Sequence, residues 1–500
     1  MGARTGQQYI EGLRDGRRIY VNGDLVRDVT DYHGYRGVVR ELARHYDRHH
    51  DAAFAEKLTF ASPRDGAPVS NSFLFARDRD SLEQRIVGER LRCEQTYGLM
   101  GRLPDFLNAW VTDMAAVPHV LGAKDKKFAE NAANYYAYCR DNDVCMTHTL
   151  LDPHVDRGKG PDAQQGLHIV RESDAGIIVS GARMLSTLAP ISDELLVGPF
   201  LPRAAGEEAY AVAFATPMAA EGLSFIAREP YDLERSHFDR PLSRRFDEGD
   251  AIAVFDNVLI PWERVFVAGD IQAYNTMIVS FPGHVGLQAA IRGTEKLRFM
   301  TGLACKLAAV NGRDRMPRYQ EMLGELVGYI QIAEGIVVAT GNELLRRAAA
   351  TAAITGDAVD ASTSLDIKPG VHPFESFVGG AAMRQFFPHV NTQVCDVIRR
   401  IGSSGIVMTP TEADFARPEL KDTLEAYVQG PDIAAEQKVQ IQKLAWDAVA
   451  TQFGSRQEHY EIFFSGDPYI VRMMQFMAPE RSRCEALVDR LLADPGAPAG

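Results

Sequence analysis

Residues 134–157 read NYYAYCRDNDVCMTHTLLDPHVDR and mark a change in the character of the chain. An aromatic run that is compatible with a helix ends at residues 141–143, Asp-Asn-Asp. A short apolar step leads to residues 147–149, Thr-His-Thr, and Pro153 then precedes His, Val, Asp and Arg at residues 154–157. Chain breakers among His, Thr, Asp and Arg are typical of loops that hold polar ligands. The same pattern also fits a helix end followed by a solvated turn.

The region before this stretch, residues 1–150, has mainly helical patterning. Apolar residues recur at helical spacing over residues 37–51 and 81–98. A short hairpin is predicted to turn at Asn22-Gly23, because this dipeptide suits the tight turn between two antiparallel strands.

Residues 151–270 have the sequence pattern of β-strands. Short runs of β-branched or aromatic residues are bounded by Gly, Pro or Asp, and such spacing predicts a barrel or a sandwich. The runs are residues 167–170, 176–180, 194–197, 209–215, 223–226 and 251–255.

Helical patterning returns in residues 271–500, with long helices expected at 291–310, 319–355 and 432–453. Residues 330–338 are apolar over much of a helical circumference, which predicts a buried bundle helix. The end of the chain, residues 493–500, is expected to be a flexible tail. The sequence therefore predicts an α+β protein with a mainly helical domain (1–150), a β domain (151–270) and a C-terminal helical bundle (271–500).

Composition narrows the class of protein. Apolar residues make up 46% and the formal net charge is −13, which fits a soluble chain and argues against a broad nucleic-acid-binding surface. Six scattered cysteines without a C-x-x-C pair indicate reduced thiols in a cytoplasmic setting. We expect no signal peptide and no uninterrupted apolar run that spans a bilayer.

Three familiar motifs lack the context or the residues that their functions require. Residues 158–163 match G-x-G-x-x-A, but no strand precedes them and a proline interrupts them, so no dinucleotide fingerprint is expected. His45 and His49 have the spacing of helix-borne metal ligands, yet a solvated helical face is the preferred interpretation and no metal site is predicted. The cysteine and histidine spacing needed for the iron–sulfur cluster of related dehydratases is missing.

Several ordered segments across the chain resemble the 4-hydroxyphenylacetate 3-hydroxylase family. They are TGQQYIEGLRDGRRIYVNG at 5–23, GRLPDF at 101–106, the 147–157 segment, GARMLST at 181–187, LAWD at 444–447 and FGSRQEHYEIFFSGDP at 453–468. The resemblance implies an acyl-CoA dehydrogenase-like fold that binds flavin between the β domain and the bundle, assembled as a homotetramer.

The activity that this resemblance implies is the oxygenase half of a two-component monooxygenase. A separate reductase supplies FADH2 by diffusion, O2 forms a flavin C4a-hydroperoxide, and a phenol is hydroxylated ortho to its hydroxyl. In this scheme Arg102 and His148 are the catalytic residues. His148 either holds the phenol oxygen or draws its proton away.

The resemblance also assigns binding residues. The substrate pocket is expected to include Arg102, Phe106, His148, Pro199 and Phe200. The flavin is expected to contact His148, Thr149, Leu150, His154, Val155, Asp156, Arg157, Thr187, Gly454, Ser455, Arg456 and Gln457. Thr187 matches a threonine expected near flavin N5.

Two positions depart from the family pattern. The loop usually reads Ser-Pro-Asp-Tyr but here runs from Leu103 to Phe106, and His154 stands where Gln is common. Phe106 lacks the hydroxyl that would bond a substrate. This puts 4-hydroxyphenylacetate itself in doubt and favours a larger or less polar phenol, such as a tyrosine-like or carrier-tethered aryl group.

Other functions stay open from the sequence. One is an acyl-CoA dehydrogenase-type flavoenzyme, which would need a catalytic glutamate that the sequence does not locate. Another is oxidation of a nitrogen or a non-phenolic ring on the same scaffold, and a third is a non-catalytic binding protein.

Overall fold

The N-terminal part of the protein is built from helices with clear end signals. The structure is a computed structural model that describes residues 2–156, 158–163, 165–280, 283–355 and 378–493. The first helix begins after Thr5, whose hydroxyl accepts the backbone N–H of Gln8 while the Gln8 side chain accepts that of Thr5. The helices of this part are α1 (Gly6–Gly12), α2 (Arg36–Asp47), α3 (Ala55–Leu58), α4 (Arg79–Thr96), α5 (Pro104–Ala116), α6 (Pro118–Leu121) and α7 (Lys126–Asn142).

His45 in α2 and His49 just after it do not lie on a solvated face, so that expectation is wrong. His45 and His49 are each 3% exposed, and their rings pack edge to face with centroids 5.5 Å apart. His49 Nδ1 lies 3.4 Å from the carboxylate of Asp143. Helix α2 packs against α1, and His45 belongs to the buried side of α2. Among the described residues, no group of His, Cys, Asp and Glu has the arrangement of a metal site.

The predicted hairpin is present and joins the central sheet. Strands β1 (Ile19–Val21) and β2 (Asp24–Val26) are antiparallel, and Asn22 and Gly23 between them both have positive φ, 52° and 89°. Two short strands follow in this part of the chain, β3 (Thr59–Ala61) and β4 (Pro68–Ser70), which pair with each other.

The middle of the chain forms the remaining strands, and the strand runs predicted from the sequence are confirmed. They are β5 (Met146–Thr149), β6 (His168–Ser173), β7 (Gly176–Thr187), β8 (Glu194–Val197), β9 (Val212–Pro217), β10 (Leu223–Ala227), β11 (Asp250–Pro261) and β12 (Val265–Ala268), with α8 (Ser243–Phe246) before β11. Strand β5 was not anticipated from its sequence. Residues 158–163 form turns, as expected of a false dinucleotide motif.

Within the described residues, these strands make two sheets that pack face to face. One has the order β2-β1-β10-β11-β7-β6 and the other β12-β9-β8-β5. Phe214 of the second sheet meets Phe255 of the first at 5.9 Å between ring centroids, and both belong to the main apolar core. The predicted sandwich-like β unit and the α+β class are therefore confirmed.

Long helices form the C-terminal part, and they pack on α4 and α5. They are α9 (Ile271–Ser280), α10 (His284–Val310), α11 (Pro317–Thr355), α12 (Val378–Gly402), α13 (Glu412–Phe415), α14 (Pro418–Val428), α15 (Ala435–Val449), α16 (Gln452–Phe463), α17 (Pro468–Phe476) and α18 (Pro479–Ala493). Residues 494–500, most of the expected flexible tail, lie outside the described residues.

Helix α11 is less buried than its sequence predicts. Within residues 330–338, Ile332 is 52% and Val338 62% exposed, so the expectation of a buried helix is wrong for part of its surface in the single chain. By length and composition alone, Pro317–Ala350 is the one described helix that could cross a membrane. One such helix is weak evidence, because helices of soluble proteins pass the same test. The division into three domains stays a prediction.

Candidate functional site

Strand β5 and the start of α5 bring the two predicted catalytic residues into contact. Arg102 Nε donates a hydrogen bond of 2.9 Å to His148 Nε2, and the two residues are 8% and 6% exposed. Side chains alternate along β5. Thr147 and Thr149 donate to backbone oxygens of β7, so His148 points the other way, toward α5.

This contact determines which ring nitrogen of His148 carries the proton. A guanidinium group only donates hydrogen bonds, so Nε2 of the imidazole must accept and the ring proton resides on Nδ1. Nδ1 is buried and has no partner among the described residues. Burial lowers the pKa of His148 well below its usual value, and the charge of Arg102 lowers it further. The site therefore presents one buried N–H that is available to a ligand.

Aromatic rings surround this pair. Phe106 and Trp110 lie on one face of α5, and their ring centroids are 5.8 and 5.5 Å from that of His148. Phe464 packs edge to face on Phe106 at 5.9 Å, and the Arg102 guanidinium carbon lies 4.0 Å from the centroid of the Phe106 ring. Phe106 thus supplies apolar surface where the family pattern has a phenol group.

Helix α16 closes the site from the bundle side. A Cβ on Gly101 would lie 2.1 Å from Tyr460 Oη, so the loop before α5 approaches this ring closely and requires glycine. Tyr460 Oη and Gln457 Nε2 are buried and unpartnered among the described residues, as is Trp110 Nε1.

A charged cluster lies at the end of β7. Thr187 Oγ1 donates to Asp250 Oδ1 at 2.7 Å, across the β7–β11 pair in which these two residues are in register. Arg456 contacts both oxygens of Asp250, at 2.7 and 3.1 Å, and Arg228 Nε contacts Oδ2 at 2.8 Å. Burial would raise the pKa of Asp250, but the charges of Arg456 and Arg228 outweigh it and hold that pKa below its usual range.

Glu248 connects this cluster to the Arg102–His148 pair. One carboxylate oxygen accepts from Arg456 at 3.0 Å, and the other accepts the backbone N–H of Arg102 at 2.6 Å. A continuous series of hydrogen bonds therefore joins Thr187 to His148 through Asp250, Arg456, Glu248 and Arg102.

The predicted flavin loop is only partly brought to this site. Thr149 is buried and bonded to β7, and Leu150 is half-buried beside it. His154, Val155 and Asp156 lie on the exposed side of the turn that follows, with Val155 64% exposed. Arg157 lies outside the described residues.

The remaining predicted residues, Pro199, Phe200 and 454–457, differ in burial and in what they contact. Pro199 is buried and Phe200 half-buried after β8, and the Phe200 ring reaches Gly466 beyond α16. In the segment 454–457, Gly454 packs on α15, Ser455 is exposed and Arg456 is bound to Glu248 and Asp250. Gln457 accepts from Lys296 Nζ at 2.8 Å.

The residues of the site that were missed from the sequence include Trp110, Glu248, Asp250 and Tyr460. A signal existed for two of them. Trp110 follows Phe106 by four residues on the same helical face, and Tyr460 falls inside the matched segment 453–468. Nothing in the sequence pairs Glu248 and Asp250 with Arg456, which is some 200 positions away.

The residues present fit a flavin. An isoalloxazine ring offers hydrogen-bond donors and acceptors along its edge and two apolar faces. Here Thr187 has an oxygen with unused acceptor capacity, His148, Gln457 and Tyr460 carry buried unpartnered polar atoms, and aromatic rings line the space near them. Buried unpartnered polar atoms are costly, and a bound polar group would satisfy them.

Two family models cover the chain. The 4-hydroxyphenylacetate 3-hydroxylase N-terminal model matches residues 5–267 and the C-terminal model matches residues 275–493. The oxygenase component of 4-hydroxyphenylacetate 3-monooxygenase from Geobacillus sp. (strain PA-9) is 35% identical over 98% of this chain and 97% of its own length. The component with the same name from Thermus thermophilus is 35% identical over 95% and 93%.

Solved structures agree with this match. A crystal structure of the oxygenase component of 4-hydroxyphenylacetate 3-monooxygenase, complexed with FAD and 4-hydroxyphenylacetate, has a TM-score of 0.85 at 34% identity and covers 98% of this chain and 99% of its own. An archaeal 4-hydroxybutyryl-CoA dehydratase has a TM-score of 0.81 at 19% identity, over 100% and 96%, which shows the fold alone.

The fold is thus the acyl-CoA dehydrogenase-like arrangement that the sequence predicts, with a β unit between two helical parts. With family models over both halves and relatives matching along nearly their whole length, the chain belongs to the 4-hydroxyphenylacetate 3-hydroxylase family.

Proposed function

We propose that this protein is the oxygenase component of a two-component monooxygenase that hydroxylates a phenol ortho to its hydroxyl, using FADH2 and O2. The observation that carries the proposal is the buried Arg102–His148 pair, which offers an unpartnered Nδ1–H inside an aromatic enclosure. Family membership over the whole chain supports the same activity.

His148 holds the phenol oxygen in this scheme. Its Nε2 lone pair is already used by Arg102, so the free side of the ring donates a hydrogen bond through Nδ1. A donor aimed at the oxygen stabilises negative charge there and makes the ring carbon next to it more electron-rich. This arrangement favours the role of holding the oxygen over the role of removing its proton.

Arg102 orients His148 and adds positive charge beside the phenol oxygen. Its Nε is bound to His148, one of its terminal nitrogens is bound to the carbonyl of Gly101, and its backbone N–H is bound to Glu248. With two contacts on the guanidinium group and one on the backbone, Arg102 keeps its position as the substrate enters and leaves.

Flavin is held between the end of β7, strand β5 and helix α16, with Thr187 and Gln457 supplying polar contacts. When bound in reduced form, FAD supplies the two electrons that activate O2. The surrounding rings exclude water, which suppresses the release of peroxide. The chain carries no NAD(P)H fingerprint in the expected strand-turn-helix setting, so a separate reductase supplies the FADH2.

The substrate is proposed to be a phenol with a larger or less polar para substituent than acetate. Phe106 turns one wall of the site apolar, next to Trp110 and Phe464. A tyrosine-like phenol or an aryl group tethered to a carrier protein fits this wall.

Four copies are proposed to assemble, in a cytoplasmic setting. Val327 and Val338 of α11 are 47% and 62% exposed in the single chain, and eleven residues of helix place them on the same face. We propose that these two exposed apolar side chains lie in a contact between subunits.

The test combines reduced flavin with two substitutions at one position. The protein is mixed anaerobically with FADH2 and a panel of free and carrier-bound phenols, then exposed to O2, and both flavin reoxidation and catechol are followed. His148→Ala is expected to bind flavin normally but to lose about a hundredfold in catechol yield, releasing peroxide instead.

His148→Asn is the matched variant, because its amide N–H sits close to the position of imidazole Nδ1. It should retain a measurable share of hydroxylation if His148 acts as a donor, and none if His148 must take a proton. Flavin that reoxidises as it does in free solution, with no catechol from any phenol, would overturn the proposed function.

A further inference from the structure

The hydrogen bond between Thr187 and Asp250 has a fixed direction. All four described hydrogen bonds to the Asp250 carboxylate come from Thr187, Arg456 or Arg228, and together they use both oxygens. A carboxylate held by two guanidinium groups is ionised and can only accept hydrogen bonds. The Thr187 hydroxyl must therefore be the donor, and its proton points at Asp250.

That direction determines what Thr187 can offer to a ligand. With its single proton committed to Asp250, the Thr187 oxygen keeps only lone pairs for other partners. Thr187 is 3% exposed, and no other partner of its hydroxyl is found among the described residues. Its backbone is fixed as well, since Thr147 donates to the Thr187 carbonyl oxygen. The Thr187 hydroxyl is therefore held in place, and toward a ligand it can only accept a hydrogen bond.

The two redox states of flavin differ at the atom that such an acceptor would meet. Reduced flavin carries a hydrogen on N5, whereas oxidised flavin has a lone pair there. An acceptor oxygen attracts the N5 hydrogen of reduced flavin and repels the N5 lone pair of oxidised flavin.

We infer that Asp250 is a positioning residue that, by holding the Thr187 hydroxyl as an acceptor, makes the site prefer reduced over oxidised flavin. The inference rests on the proposed function and on Thr187 facing N5. This preference lets an oxygenase that receives its flavin by diffusion select FADH2 and release FAD after turnover.

Asp250→Asn tests the direction of the bond. The amide group of asparagine must place its N–H2 toward one side of the cluster. Guanidinium groups cannot accept, and only the Thr187 hydroxyl can change from donor to acceptor. The N–H2 group therefore takes the Oδ1 side, where the hydrogen bond from Arg456 Nη2 is lost, instead of the Oδ2 side, where two guanidinium donors would be lost. The hydroxyl proton would then turn toward N5, which favours oxidised flavin.

The measurement is the ratio of the dissociation constants of FAD and FADH2, each determined at equilibrium without turnover, the latter under anaerobic conditions. Asp250→Asn is expected to lower the preference for FADH2 about tenfold, the size of one hydrogen bond. For a two-electron couple this equals a shift of about 30 mV in the potential of the bound flavin.

Three further variants separate positioning from a structural role. Thr187→Val removes the hydroxyl and should lower the preference as well, even if Asp250→Asn does not fold. In the double variant, Asp250→Asn should have no further effect on the ratio, because it acts only through the hydroxyl. Asp247→Asn is the matched control, since Asp247 also binds Arg228 but does not contact Thr187, and it should leave the ratio unchanged.

The outcomes distinguish the inference from the proposed function. A preference that survives in Thr187→Val, or that Asp250→Asn changes equally when Thr187 is already valine, overturns the inference while leaving the proposed function intact. A wild-type protein that binds neither form of flavin overturns both.

Discussion

At the scale of single residues, position 106 shows how one missing hydroxyl changes a site. The ring of Phe106 keeps the packing on His148, Trp110 and Phe464 but offers no hydrogen bond. The Arg102 guanidinium group lies over this ring, so its charge is partly balanced by the face of the aromatic system. Specificity for the substrate is therefore expected to respond strongly to this residue.

Phe106→Tyr should improve the binding of a small polar phenol. A hydroxyl added beside His148 supplies one hydrogen bond, worth about 1 kcal/mol, which lowers the dissociation constant of 4-hydroxyphenylacetate about fivefold. The constant is measured by titrating the flavin-loaded protein under anaerobic conditions. Phe106→Leu, which keeps the apolar wall without a hydroxyl, is the control, and equal or weaker binding in Phe106→Tyr would contradict the expectation.

At the scale of elements, the turn between α15 and α16 explains why glycine occupies position 454. A Cβ there would lie 2.7 Å from the backbone carbon of Ala448 and 2.7 Å from the backbone nitrogen of Val449. The glycine of the predicted flavin segment therefore has a structural reason in close backbone packing. The helix itself is capped by Thr451, which accepts the backbone N–H of Gly454.

Gly454→Ala is expected to destabilise the protein by about 1–3 kcal/mol, because backbone atoms cannot move aside as a flexible side chain would. The shift in the denaturation midpoint measures this effect. Gly302→Ala in α10 is the matched control. No atom lies within 4 Å of a Cβ at that exposed position, so alanine should stabilise the helix by up to about 1 kcal/mol. Equal effects of the two substitutions would refute the packing argument.

Strand β5 illustrates why some elements escape sequence reasoning. Its four residues, Met146–Thr149, are all buried, and the strand pairs in parallel with β8, some 50 residues away. A run this short gives no periodicity to read. In contrast, β8 was predicted at its observed bounds because its apolar run is flanked by Asp and Gly.

At the scale of the whole molecule, buried histidines make stability depend on pH. Burial lowers the pKa of His45, His148 and His284 below their usual value. The unfolded chain binds protons at these side chains near pH 6.5 while the folded chain does not. Their contribution to the free energy of unfolding is therefore fully present above pH 6.5 and falls as pH decreases toward the lowered pKa values.

The denaturation midpoint should accordingly fall as pH is lowered from 7 to 5. Each histidine that stays neutral contributes a slope of up to about 1.4 kcal/mol per pH unit in this window. His45→Gln, which cannot be protonated and lies away from the site, should reduce the slope. A slope that is identical in wild type and variant would show that His45 is protonated normally in the folded chain.

The exposed face of α11 leads to a prediction about assembly. Val338→Glu should dissociate the proposed tetramer into smaller species, because a charge buried between subunits lacks a partner. Light scattering on a sizing column reports the mass. Leu25→Glu in the hairpin, where the apolar side chain is 49% exposed in the single chain, is the control and should keep the mass of wild type. A mass for Val338→Glu equal to that of wild type would exclude this face as an interface.

The sequence by itself determined the succession of helices, strands and helices, since periodicity and turn residues are local properties of the chain. It also pointed to the segments that carry Arg102, His148 and Thr187. Only the tertiary structure decided which face of each helix is buried, as His45 and His49 demonstrate. It also brought Glu248 and Asp250 to Arg456, because ion pairs between residues some 200 positions apart leave no trace in local sequence. The hydrogen-bond directions of His148 and Thr187 follow from those distant partners, and so does the chemistry they can perform.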